Sequence, residues 1–181
     1  MGAIRASDLA AGVIAHMLRV EIPATMADAN GGKMVSYSWP QDQMDGCALS
    51  GQGCAAYSGT IPYGVTIGIP ITVPEPPEVK SNAGAHMLWT ALQTHGAMIR
   101  DTGGSGNVVT FQTDQDVPSS NPMIQGMQAL GPKIMLAAHI LMNQGKNSIN
   151  GGGTPVVPLS PEPGSNGACP TAQRSPSLGV E

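Results

Sequence analysis

From Val65 to Val73, apolar residues fall on every second position. Val65, Ile67, Ile69, Ile71 and Val73 share one face, while Thr66, Gly68, Pro70 and Thr72 share the other. A period of two marks an extended strand with one buried face; a helix would scatter these side chains around its axis. Pro70 has no N–H to give to a ladder, so this strand is expected at a sheet edge or a bulge. The prolines between Pro74 and Pro77 then break the chain.

A second alternation runs from Val13 to Glu21. Ile14, His16, Leu18 and Val20 lie on one face and Val13, Ala15, Met17 and Arg19 on the other, which predicts a strand apolar on both faces. Ser7 to Gly12 reads as one helical turn closed by glycine, and Pro23 ends the strand. Shorter strands are predicted over Met34 to Trp39, Ala97 to Asp101 and Asn107 to Thr113. The last two would form a hairpin across Thr102-Gly103-Gly104-Ser105-Gly106. One helix stands out, Ala83 to Thr94, where Leu88, Leu92, His95 and Ile99 form a stripe and Gly96 is placed to end it. Asn121-Pro122 starts a shorter helix to about Leu130 by side-chain capping and proline at the first helical position. Lys133 to Asn143 fits both periods, and its latter half is read as a strand.

About six short strands, one solid helix and long glycine-rich loops predict a mainly β fold. The expected architecture is an antiparallel β-sandwich or jelly roll with one or two inserted helices over residues 1–150. A Pro/Gly-rich tail or linker follows over 151–181. Composition narrows the function classes. Only 8 of 181 residues are Lys or Arg, scattered singly under a net charge of -4, which argues against a phosphate-neutralising nucleic-acid surface. Charged residues amount to 11%, too few for the paired Glu and Lys faces of a long exposed helical bundle. With 41% hydrophobic residues, wholesale disorder is also a poor fit. No run reaches the roughly 18 apolar residues of a membrane span. Arg5, Asp8, His16 and Arg19 interrupt any signal-peptide-like stretch, and further sequence is expected upstream of Met1.

Cys47 and Cys54 flank the flexible segment Ala48-Leu49-Ser50-Gly51-Gln52-Gly53. A local disulfide is expected there, implying an oxidising compartment, against the alternative of two unrelated thiols. Cys169 has no obvious mate. Zinc-type cysteine spacing is absent from the sequence, and no metal or other cofactor is expected.

The run from Gly2 to Val20, Gly-Ala-Ile-Arg-Ala-Ser-Asp-Leu-Ala-Ala-Gly-Val-Ile-Ala-His-Met-Leu-Arg-Val, resembles the opening of a largely uncharacterised bacterial secreted domain of jelly-roll type. Ser38-Trp39-Pro40, Tyr63-Gly64, Ala91-Leu92-Gln93, His95-Gly96-Ala97-Met98-Ile99 and Asp101 agree with the same pattern over residues 2 to 150. Family members often carry tyrosine where this chain has His95, and a richer aromatic or basic segment near position 40. The resemblance implies an extracellular, carbohydrate-associated β-sandwich and transfers no catalytic residue.

Among candidate chemical groups, His86 and His95 are nine residues apart on one helix, about 180° around its axis, so they cannot hold one metal from there. His95 reads as a core or boundary residue and His86 as exposed. His16 is either a satisfied core histidine or a general base, with Asp101 or Glu21 orienting it. Arg19, on the opposite face, would meet an anionic sugar or a structural carboxylate. Asp114 and Asp116 read as a solvated turn or a weak calcium site. No Gly-x-Ser-x-Gly elbow surrounds Ser105, and no phosphate loop is present. The six aromatic residues are Tyr37, Trp39, Tyr57, Tyr63, Trp89 and Phe111; they fill the core or offer platforms to a sugar.

The leading expectation is a secreted protein contacting extracellular polysaccharide or a cell-surface glycan, as a binding module or a hydrolase. Asp101 and His16 would be catalytic, and Arg19, Tyr37, Trp39 and Tyr63 would bind substrate. The competing expectation is a structural protein that self-associates through apolar strand faces without catalysis.

Overall fold

The computed structural model describes residues 2–27, 58–61, 64–103 and 109–141. The expected strand over Met34 to Trp39, the Cys47–Cys54 disulfide, Tyr37, Trp39, Tyr57, Tyr63, Cys169, most of the Gly103–Gly106 loop and the 151–181 tail lie outside the described residues.

The described part is a mixed α/β structure, about 35% helix and 23% strand, and it corrects the β-sandwich expectation. The helices are α1 (Ala6–Ala11), α2 (Pro77–Lys80), α3 (Ala83–Thr94) and α4 (Pro122–Met135). The strands are β1 (Leu18–Ile22), β2 (Thr66–Gly68), β3 (Ala97–Thr102), β4 (Thr110–Phe111) and β5 (His139–Ile140). They form one sheet in the order β4-β1-β3-β2-β5. Leu18 N–H donates to Gly96 O at 3.1 Å and Gly103 N–H to Ile22 O at 3.2 Å, so β1 and β3 run in the same direction. β2 and β5 pair antiparallel, with Ile67 opposite Ile140 and Gly68 opposite His139. The hairpin expected between β3 and β4 is not formed, because β1 lies between them. The buried alternation of β1, with Leu18, Val20 and Ile22 inside, places that strand in the sheet interior.

By contact the described residues fall into two compact units. One is drawn from Met1–Arg19, Ile67–Met98 and Phe111–Ile140, the other from Val20–Thr66, Ile99–Thr110 and Leu141–Glu181. In the first, the core mixes strand residues (Leu18, Ile67, Met98) with helical ones (Leu88, Trp89, Leu92, Ile124, Met127, Ile134). Helices supply the apolar cover that a second sheet would give a sandwich, which is the physical reason the β-sandwich expectation failed. In the second unit Val20, Ile22, Ala27 and Ile99 are buried, and parallel bridging joins Ala27 to Ile61.

The strongest alternation in the sequence is only partly a strand. β2 stops at Gly68, and the N–H of Ile69 turns to Leu92 O at the end of α3. Pro70, unable to donate, begins a turn closed by Val73 N–H to Pro70 O at 2.9 Å. The Gln93 amide holds that turn by donating to the carbonyls of Pro70 and Val73. Ile71 is left 80% exposed. Similarly, the strand expected from Val13 begins only at Leu18, because residues 13–17 are spent returning the chain from α1.

α3 follows its sequence prediction, with Asn82 Oδ1 accepting from Ala85 N–H as N-cap. Gly96, at φ 70°, makes the left-handed turn from α3 into β3. α4 is longer than expected: it begins at Pro122 under the Asn121 cap but passes Gly131-Pro132 to Met135. Pro132 sits in its last turn, and burial of Ile134 outweighs the missing N–H there. Among the described residues no helix is long and apolar enough to cross a membrane.

The helix pair is joined closely at its N-terminal turns. Gly84 of α3 lies against the backbone of Met123, and Gly126 of α4 lies against the side chain of Asn82, the cap of α3. Each contact occupies the place where a Cβ would stand, so the approach depends on glycine at both positions.

Candidate functional site

Among the described residues, Asp8, Arg5 and His95 lie around His16 in the first unit. Asp8 is the third residue of α1, and its Oδ2 accepts from the Arg5 N–H at 2.9 Å, closing the start of the helix. Gly12, at φ 67°, ends the helix in the left-handed region and reverses the chain, and four residues on His16 comes back beside Asp8. His16 Nε2 lies 3.0 Å from the same Asp8 Oδ2, and Nδ1 lies 3.1 Å from the Met17 carbonyl. Both partners are well covered, with side-chain exposures of 14% for His16 and 12% for Asp8. The ring also flanks Gly2: a Cβ there would stand 3.8 Å from His16 Cε1 and 3.3 Å from an Arg5 guanidinium nitrogen.

The expected partners of His16 were Asp101 and Glu21; the structure supplies Asp8. Asp101 belongs to the second unit, where its Oδ1 accepts from the following Thr102 N–H at 2.9 Å. Glu21 also belongs there, its carboxylate resting on the backbone of Gly103. The signal that could have found Asp8 was present: a carboxylate in the first helical turn, a glycine closure, and a histidine eight residues on. One ring nitrogen thus faces a carboxylate and the other a backbone carbonyl. Arg19 is half-buried on β1. Asp114 and Asp116 are exposed, and the Asp114 carbonyl accepts from Val117 N–H in a turn. Among the described residues no group of three or more His, Cys, Asp or Glu is placed to hold a metal ion.

His95 stands at the end of α3, one residue before Gly96, and so at the same end of the parallel β1–β3 pair as His16. Its Nδ1 is buried without a hydrogen-bond partner among the described residues. Burial pushes its pKa below the ordinary 6.5, and the neighbouring His16 lowers it further. The unfolded chain therefore takes up this proton more readily than the folded one. Stability from His95 is complete above about 6.5 and is lost as pH falls through the lowered folded value. Denaturant midpoints of the parent and of His95→Asn, followed from neutral to acid pH, should shift in the variant's favour on acidification. A constant gap would show that His95 does not titrate in this way.

The other feature of note is the sheet edge that β5 forms among the described residues. β5 is the last strand in the order, and both its residues are exposed. Ile71 lies three residues beyond Gly68 and Leu136 three before His139, so both leave the same end of the β2–β5 ladder. Ile71 is 80% exposed, Leu136 87% and Ile140 43%. Exposed apolar side chains at a sheet edge are what folded proteins ordinarily avoid. Of the aromatic candidates within the described residues, Trp89 is buried and Phe111 is half-buried on β4.

No protein-family model, curated protein or solved structure matches this chain.

Proposed function

We propose that this chain is a non-catalytic protein that associates with further copies of itself through the β5 edge. The observation that carries the reading is the exposure of Ile140 on the edge strand itself and of Ile71 and Leu136, which leave one end of the β2–β5 ladder. Strand addition at such an edge satisfies main-chain groups while covering apolar side chains, so it joins two sources of affinity. The engagement of both His16 nitrogens supports the non-catalytic half of the reading.

Light scattering coupled to size exclusion, over a range of concentrations, tests the proposal. The parent should show concentration-dependent association, and Leu136→Asp should weaken it about tenfold or more while keeping the circular dichroism of the parent. A parent that stays monomeric at every concentration, or is retained on a polysaccharide column with Leu136→Asp retained equally, would replace this reading.

A further inference from the structure

The chain between β2 and α2 is pinned to α3 as a strap. At one end the Ile69 N–H donates to the Leu92 carbonyl at 3.1 Å. At the other the Glu75 carboxylate, 14% exposed, meets His86 Nδ1 at 2.8 Å. Between them the Gln93 side-chain amide reaches the carbonyls of Pro70 and Val73, at 3.3 and 3.2 Å. An amide NH2 has two hydrogens, so Gln93 can serve both carbonyls at once. It thereby bridges the first and last residues of the turn that Val73 N–H closes on Pro70 O. Ile71 sits inside that turn and is 80% exposed. An apolar side chain on a loose loop loses conformational freedom when it is bound; one on a clamped turn has already lost much of it.

We propose that Gln93 is a positioning residue of the association surface: its amide clamps the Pro70–Val73 turn and so holds Ile71 outward, where a second copy meets it. This role rests on self-association at the β5 edge, and Gln93 acts in it through Ile71. The ties at Ile69 and Glu75 lie outside the turn, so loss of the Gln93 amide frees the turn while the strap stays on α3.

Gln93→Glu removes both donors at nearly the same size and sets a carboxylate against two carbonyls. In light scattering on the whole chain it should associate about tenfold more weakly than the parent. Ile71→Ser should lose about as much, and adding Gln93→Glu to Ile71→Ser should change association by less than about twofold. A merely structural Gln93 would weaken both backgrounds equally. Hydrogen exchange gives a readout that does not require association: the Val73 amide should exchange about tenfold faster in Gln93→Glu than in the parent. Should Gln93→Glu fail to fold, Gln93→Met keeps the bulk without the donors and carries the same expectations. Parent-like association of the variant, equal losses in both backgrounds, or unchanged Val73 exchange overturns the positioning role and leaves self-association standing. A parent that is monomeric at every concentration overturns self-association, and this role with it.

Discussion

Gly84→Ala is expected to lower stability by about 3 kcal/mol, and the thermal midpoint by about 6–12 °C. The added Cβ would stand 2.8 and 2.9 Å from the carbonyl carbon and Cα of Met123, and closer still to its carbonyl oxygen. These are backbone atoms at the start of α4 and cannot swing aside like the tip of a side chain. Relief therefore requires α3 and α4 to separate, opening the core around Leu88 and Ile124. Helix propensity works the other way, favouring alanine over glycine by about 1 kcal/mol, and is outweighed. Gly131→Ala is the internal control. It lies on α4 with nothing within 4 Å of its Cβ position, so its effect should stay within about 1 kcal/mol. Thermal denaturation of the two variants, side by side, separates close packing from propensity. Equal midpoints would remove the close-approach argument.

Ile4→Ala should be comparably damaging, at about 2–5 kcal/mol. Ile4 is 1% exposed although it belongs to no helix or strand. Backbone pairing explains how it is held. Gly2 N–H donates to Met17 O and the Gly2 carbonyl accepts from Arg19 N–H, both at 3.0 Å; Ile4 N–H donates to Gln112 O at 2.8 Å and its carbonyl accepts from Asp114 N–H at 2.9 Å. The first residues are thereby stitched between the start of β1 and the segment after β4, and the Ile4 side chain enters the core of the first unit. Val13→Ala, at a residue 48% exposed, should change the denaturant midpoint little, by about 0.5 kcal/mol. An Ile4→Ala midpoint matching that of Val13→Ala would mean that the stitched segment does not contribute to the cooperative unit.

These two sites differ in how visible they are before folding. Ile4 is one apolar residue in a short segment with no periodicity, and nothing local marks it as buried. Gly84 sits one residue into α3, where glycine looks like a mild defect; its value appears only once Met123 arrives beside it. The same holds for the candidate site. His16 was legible as a buried histidine in need of a partner, because it alternates with Ile14 and Leu18. The identity of that partner was not legible, since it depends on the left-handed turn at Gly12. The exposed edge was misread for a related reason. Ile71 is the fourth of five alternating residues, but the alternation runs through Pro70, and the chain there serves a turn held by Gln93 instead of a ladder.

Local chemistry alone determined α3 from Ala83 to Thr94 and its Gly96 exit, and the Asn121-Pro122 start of α4. Each of these depends on interactions within a few residues, which a linear chain displays. Tertiary structure decided the rest: the placement of β1 between β3 and β4, the continuation of α4 past Pro132 to bury Ile134, the pairing of His16 with Asp8, and the use of helices instead of a second sheet to cover the core. Period-two alternation says that a face must be buried; it does not say what will bury it, because the hydrophobic effect is non-directional and accepts a helix as readily as a strand.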